Sequence, residues 1–324
     1  VGACIVPLNT RYRTDDLAYT VVQSESKFLI ALDRSGPINY GQMLTEAREE
    51  LDKAGHLKTI VMLGDQIQDS ISWKTMLDGG GAVTDEKLQD RASDVSVEDR
   101  MMLAYTSGTT GHPKGVIHTH KPIRNTYERA MLLGHSRNDV HMSYLPLFHA
   151  YGFSEVAMMT ALTGASQVLF DVFEPDIVLD AVESQRGTVL HGFDSHWADL
   201  IRAQQRHERD VTSLRVGTLP AGMESTVPTA RIVQDLFCPT TSGFGMSESW
   251  AFIASSHISD SLEQRIEASG YPMYGIEFQV RDPDSGEILG ANKQGALYVK
   301  GYTVMTGYWG KPEATAEVLS PDGW

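Results

Sequence analysis

The stretch Ala104-Tyr105-Thr106-Ser107-Gly108-Thr109-Thr110-Gly111-His112-Pro113-Lys114-Gly115-Val116 sets hydroxyls, glycines and a single lysine between two apolar runs. Glycines free the backbone to turn N–H groups toward an anion, hydroxyls add short donors, and the lysine supplies a point charge, which together make a phosphate cradle. The spacing differs from the P-loop, in which Gly-x-x-x-x-Gly-Lys-Ser/Thr opens a helix. Here Lys114 follows Pro113 and precedes Gly115 and the β-branched pair Val116-Ile117, so the loop is expected to join strand to strand. For a loop of this composition the alternative is a surface connection with no ligand.

Outward from this loop, composition bounds the rest. A chain of 324 residues is long enough for a large core and more than one domain. Lys and Arg total 27 against 42 Asp and Glu, a formal charge of −15, which excludes generalised attraction to nucleic acid or an anionic membrane and leaves any polyanion to a local site. Cys4 and Cys238 are too few for a disulfide framework and fit a reducing compartment. No apolar run approaches the roughly eighteen residues of a membrane span, and the apolar opening from Gly2 to Leu8 has no basic leader, so a cytoplasmic location is expected. The chain opens on Val1 and stops at Trp324 inside a motif, and reads as a fragment.

Short apolar runs and helical periods alternate. Residues 4–8, 27–32, 59–63 and 101–105 read as strands, Thr14 as an N-cap before Leu17, Val21 and Val22, and residues 42–54 as a helix, a βαβ pattern with a mostly parallel sheet. Gly79-Gly80-Gly81 and the polar run to Asp99 read as an exposed connection. Past the loop, helices are expected over 121–133, 154–162, 175–186 and through Trp197, Leu200 and Ile201, with strands over 141–145, 167–170 and 188–190. From about His257 the alternation at 276–280 and 296–299, around the turn Asp282-Pro283-Asp284-Ser285-Gly286, reads as a small antiparallel barrel.

Two further clusters carry chemistry. In Leu145-Pro146-Leu147-Phe148-His149-Ala150-Tyr151-Gly152-Phe153, His149 is one of 11 histidines, and spacing alone favours a structural role. Thr240-Thr241-Ser242-Gly243-Phe244-Gly245-Met246-Ser247-Glu248-Ser249 reads equally well as a strand end, a glycine turn and a helix cap.

Taken in order, these stretches resemble the motifs of the adenylate-forming superfamily: acyl-CoA synthetases, peptide-synthetase adenylation domains and beetle luciferases. The match at residues 104–116 is nearly letter for letter, Pro146-Leu147-Phe148-His149-x-x-Gly152 matches at each position, and Phe244-Gly245-Met246-Ser247-Glu248 resembles the aromatic-Gly-x-Thr-Glu motif, with Phe for the commoner Tyr and Ser for the commoner Thr. Residues 214–223 resemble the strand and turn beneath the adenine more loosely, and Gly295 to Val299 and Met305 to Trp309 resemble the barrel signature, with Ala296 where an acidic residue is commoner.

The resemblance implies an α/β fold of two αβ-sandwich subdomains, residues 1–138 and 139–256, plus a partial β-barrel over 257–324, with the ribose-binding aspartate and the C-terminal lid beyond Trp324. It implies ATP bound through Thr106, Ser107, Gly108, Thr109, Thr110, Gly111 and Lys114, with adenine against Ala221, Gly222, Met223, Phe244, Gly245 and Met246. Ser247 would contact the α-phosphate and Glu248 would hold Mg2+. His149 would sit beside the reacting carboxylate, positioning it and stabilising charge, and Lys114, His149, Ser247 and Glu248 are the implied catalytic set. The acyl pocket would draw on His149, Phe153, Gly192, Phe193, His196 and Gly245. Glycine at 245 implies room for a medium or long acyl chain or an aryl acid, unless it serves only the turn. The implied activity is an AMP-forming acid–thiol ligase that uses a small-molecule carboxylic acid, ATP and CoA. Its alternatives are a peptide-synthetase adenylation domain, for which Asp194 is the acidic candidate, and a nucleotide-binding module without turnover.

Overall fold

Parallel pairing begins with the first apolar runs. Strands Phe28–Ala31, Thr59–Met62 and Ile71–Ser72 form one parallel sheet in that order, with Phe28 opposite Thr59 and Val61 opposite Ile71. Helix Thr14–Gln23 and the crossover helices Tyr40–Glu46 and Arg48–Ala54 cover it, burying Leu17, Val21, Leu44 and Leu51 against Leu29, Ile60 and Met62. The computed structural model describes residues 1–106 and 112–324.

Three local readings are corrected. The helix expected over 42–54 is two, because Ala47, at ψ −6°, interrupts the α ladder between them. Thr14 is the first helical residue and not the cap: its hydroxyl donates to Glu46, while Asp16 accepts from the Arg13 amide. The connection before Asp99 is exposed as expected but largely helical, at Trp73–Gly80 and Asp85–Ser93. Ser72 and Thr84 cap these helices, and neither helix buries a residue.

Arg100–Thr106 and Lys114–Thr119 pair antiparallel, Thr106 opposite Lys114 and Tyr105 opposite Gly115, the strand-to-strand connection the composition implied. Residues 306–309 run along the second strand: Ile117 donates to the Gly307 carbonyl at 3.0 Å, Thr306 to Ile117 at 3.1 Å and Trp309 to Gly115 at 2.8 Å. By its contacts the chain divides into one unit of Val1–His120 with Thr306–Thr315 and another of Lys121–Met305 with Ala316–Trp324.

The second unit is built on a five-stranded parallel sheet, in the order Thr240–Thr241, Val216–Thr218, Val189–His191, Val140–Ser143, Ser166–Leu169. Strand side chains alternate between its faces. Leu190 points to an apolar core with Val178, Leu179, Val182, Trp197 and Leu200 from helices Pro175–Gln185 and Asp194–Arg206. Val189 and His191 point to the face covered by helix Ile123–Leu132. Farther on, Gly243–Phe244, Ala254–Ser255 and Tyr271–Pro272 form an antiparallel sheet, and Ile276–Arg281 pairs antiparallel with Ala296–Gly301. The expected barrel is present as these two open ladders. No closed barrel occurs among the described residues, since the two-stranded ribbon is not hydrogen-bonded to the three-stranded sheet. No described helix is long and apolar enough to cross a membrane.

Candidate functional site

In the first unit the hairpin stem brings Thr106 and Lys114 directly opposite each other at the mouth of the loop. Ser107, Gly108, Thr109, Thr110 and Gly111 lie outside the described residues. The stem is held from several sides. His112 stacks on Tyr19 with ring centroids 4.4 Å apart, and the Tyr19 hydroxyl donates to the Pro113 carbonyl at 3.2 Å. Lys114 Nζ lies 4.8 Å from the centre of the Tyr308 ring, a cation–π distance. Tyr105 donates to Gln23 Oε1, and Gln23 Nε2 donates to the Trp309 carbonyl at 2.8 Å. Burial raises the Tyr105 phenol well above its usual range, so it remains a neutral donor. The aromatic and glutamine contacts of this stem were not read from the sequence, because Gln23 and Tyr308 come from distant parts of the chain.

In the second unit His149 precedes the short helix Ala150–Gly152, and its Nδ1 accepts the Tyr151 amide at 3.3 Å. Desolvation lowers its pKa although the residue is exposed. A neutral ring accepting at Nδ1 carries its proton on Nε2, so it can donate to a carboxylate or phosphate oxygen. Its ring meets Phe193 edge-on at 6.3 Å, and Phe193 in turn meets Tyr151 at 4.9 Å. Tyr151 is fixed from below by the Thr218 hydroxyl at 2.5 Å, which also lies 2.8 Å from His191 Nδ1.

His149 and Phe193 are thus together. His196 joins them: its ring lies 5.9 Å from Phe193, its Nδ1 accepts the Phe193 amide at 3.2 Å, and its other neighbours are Phe173 at 4.7 Å and Tyr144 at 5.5 Å. A Cβ on Gly192 would meet the Tyr144 hydroxyl at 2.9 Å and Trp197 Nε1 at 3.2 Å, so Gly192 is small to admit these side chains. Phe153 starts a π turn, Phe153–Met158, and packs edge-on against Trp250 at 6.0 Å.

The loop at 219–223 is tied to the motif at 240–249 by the Ala221 amide, which donates to Ser242 Oγ at 2.9 Å. Gly222 takes φ +102°, and Met223 and Met246 are exposed. Phe244 lies in the strand paired with Ala254, its ring 6.4 Å from Phe278. No helix follows, so the helix-cap reading of this stretch is set aside. A Cβ on Gly245 would lie 1.3 Å from the Ala251 carbonyl oxygen, so glycine is required there by the chain doubling back on itself. A side chain at 245 would run into backbone, which favours the turn over the pocket wall. Ser247 and Glu248 are partly buried, and the Glu248 carbonyl accepts the Met305 amide at 2.7 Å. Among the described residues no group of three or more His, Cys, Asp or Glu could hold a metal ion. Glu248 alone suits a hard cation whose other ligands are phosphate oxygens and water.

A buried polar layer lies beneath these motifs, unforeseen in the sequence. Arg129 and Glu155, 1% and 0% exposed, pair at 2.8 Å. His135, His141 and His191 cluster with ring centroids 4.7 to 6.1 Å apart, beside the Arg215–Asp139 pair at 2.7 Å. Burial lowers the pKa of His135 to about 3 and of His141 to about 4, and drives that of His191 well below its usual value. Asp139 is raised by burial but lowered more by hydrogen bonds from Arg215, Thr188 and Ser136, and ends below the usual carboxylate range. A cleft of about 450 Å3 lined by Tyr127, Met131, Leu132, Tyr271 and Tyr274 contains none of the candidate residues.

Residues 1–309 match the family model described as AMP-binding enzyme. The whole chain is 28% identical to YngI of Bacillus subtilis, which bears an acyl-CoA synthetase name, over 61% of that protein. Ninety-nine per cent of the chain is 27% identical to the acyl-CoA ligase sidI of Aspergillus fumigatus, over 55% of that protein. The chain therefore spans less than two thirds of these relatives. Its fold matches that of the anthranilate CoA ligase AuaEII, solved with anthranoyl-AMP, at a TM-score of 0.85 and 22% identity, covering 99% of this chain and 62% of that one.

Proposed function

We propose a function from one premise: the chain belongs to the AMP-binding enzyme family. It is the large part of an adenylate-forming ligase that joins a carboxylic acid to ATP, giving acyl-AMP and pyrophosphate, after which the thiol of CoA displaces AMP. The observation that carries this reading is the hairpin of Arg100–Thr106 and Lys114–Thr119, which sets a hydroxyl and an ammonium at the two ends of a Ser/Gly/Thr loop.

A carboxylate attacking phosphorus has no proton to lose, so the residues act by positioning and by neutralising charge. Lys114 and the loop amides would hold the β- and γ-phosphates, and Ser247 the α-phosphate. Glu248 would hold Mg2+, which supplies charge neutralisation when bound. His149, through Nε2–H, would orient the attacking carboxylate. The exposed rings of His149 and Phe193, the latter backed by buried Tyr151, favour an aryl or a medium-to-long-chain acid over a short one.

One observation favours a second substrate class. Asp194 opens helix Asp194–Arg206, and its Oδ1 is buried with no hydrogen-bond partner among the described residues, which would suit an acid carrying an amino group. Exchange of labelled pyrophosphate into ATP by the full-length protein, run on aryl, fatty and amino acids, tests both. Exchange with an aryl or fatty acid is expected, exchange with amino acids alone selects the second reading, and none with any acid refutes adenylation.

A further inference from the structure

Beneath the acid-side motif lies a chain of buried polar contacts. Arg129, on helix Ile123–Leu132, donates to Glu155 through Nε at 3.1 Å to each carboxylate oxygen and through Nη2 at 2.8 Å. Glu155 belongs to the π turn Phe153–Met158, whose first residue is Phe153. One helical turn before Arg129, Thr126 Oγ1 lies 2.8 Å from Ser154 Oγ and accepts the Trp250 Nε1–H at 2.9 Å. Trp250 is fully buried at φ +73°, a left-handed conformation that a bulky residue holds only under constraint, and it lies two positions past Glu248. The Arg129 guanidinium also covers the Phe252 ring at 4.4 Å.

A buried ion pair is poor evidence of stability, because apolar side chains of similar volume fill the same space without desolvating charge. What it does supply is direction: a bidentate fork fixes both partners where a leucine would slide. Here that direction holds a turn that departs from the α ladder, while Thr126 holds the Trp250 indole in its strained backbone. We infer that Arg129, Glu155 and Thr126 are positioning residues for the acid-binding side of the site. They act on Phe153, directly through the π turn and indirectly through Trp250, whose ring packs edge-on against Phe153 at 6.0 Å. The inference rests on the adenylation reading above.

The test is the double variant Arg129→Met/Glu155→Leu in the full-length protein, with Thr126→Val and Thr126→Ser beside it. The double variant is expected to melt within a few degrees of wild type. Its KM for the acid should rise about tenfold while that for ATP changes by less than about twofold, and Thr126→Val should shift the same way with Thr126→Ser restoring wild-type values. A folded double variant with unchanged constants, or with both KM values raised together, overturns the proposal. Should the double variant not fold, the Thr126 pair decides on the same criterion. A crystal structure of the double variant, or of Thr126→Val in its place, gives an answer independent of activity. A rewound 153–158 turn or a Trp250 released from positive φ is expected, and an unchanged turn and Trp250 would overturn the inference. If the wild type activates no acid, the adenylation reading falls by itself, and that structure still judges the contacts.

Discussion

Lys114 and Glu248, the two charged candidates expected to meet phosphate and its metal, stand on different foundations. Lys114 opens a strand of a two-stranded ladder, and its ammonium is steadied by one aromatic ring, with single hydrogen bonds from Tyr19 and Trp309 to the adjoining carbonyls. Glu248 lies in a segment that reaches through Trp250 to Thr126 and a layer of fully buried hydroxyls, charges and imidazoles. A flexible ammonium is a point charge that a phosphate can draw in from several directions, so a stem suffices. A carboxylate offered to a cation must be aimed by its backbone, and that aim is set from the interior.

The comparison is broken or sharpened first by acid. In the fold His135, His141 and His191 stay neutral because burial lowers their pKa values, whereas the unfolded chain takes up protons below the ordinary value of 6.5. Stability should therefore be flat above about pH 7, fall as pH drops through 6.5, and go on falling to about 4 for His141 and about 3 for His135. Each imidazole contributes roughly 2 kcal/mol of loss by pH 5, and the three together about 6 kcal/mol. Denaturant midpoints measured from pH 7.5 to 5 check this, and a constant midpoint would remove the buried layer from the comparison.

Second in size is the backbone contact at the motif. Gly245→Ala should destabilise by about 3 kcal/mol or more, since its Cβ would stand 1.3 Å from the Ala251 carbonyl oxygen. In Gly115→Ala the nearest atoms to the new Cβ belong to the Tyr105 side chain, at 3.0 Å, and the loss should be about 1 kcal/mol as that side chain shifts. Equal losses in thermal melts would show that the two foundations are equally rigid.

Glu248→Gln keeps shape and hydrogen bonding but removes the charge a hard cation needs. In the full-length protein, pyrophosphate exchange should fall roughly a hundredfold, about 2.7 kcal/mol, with the melting temperature unchanged. Wild-type exchange in that variant would withdraw the metal assignment.

The smallest effect belongs to the hairpin stem. Lys114→Ala should leave the fold intact and weaken ATP about tenfold more than AMP, which lacks the β- and γ-phosphates. Equal weakening of both nucleotides in calorimetry would place the lysine elsewhere.

The sequence by itself determined the alternation of parallel strands and helices, the strand-to-strand loop from Thr106 to Lys114, and which stretches are candidates for the site chemistry. These are local properties: β-branched runs, glycine and hydroxyl spacing, and turn residues act within a few positions of themselves. Only the tertiary structure decided that Gly245 is small for the sake of Ala251, that residues 306–309 run along the hairpin strand, and that the expected barrel is two open ladders. It alone revealed the polar layer. Arg129 and Glu155 are 26 positions apart, and Trp250 and Thr126 are 124 apart. In the sequence, Arg129 and Glu155 are ordinary charged residues of helical stretches, with nothing to mark them as buried. A buried charge is tolerated only where its partner is delivered, and that delivery depends on how distant helices and turns meet over one face of the sheet, which no local pattern encodes.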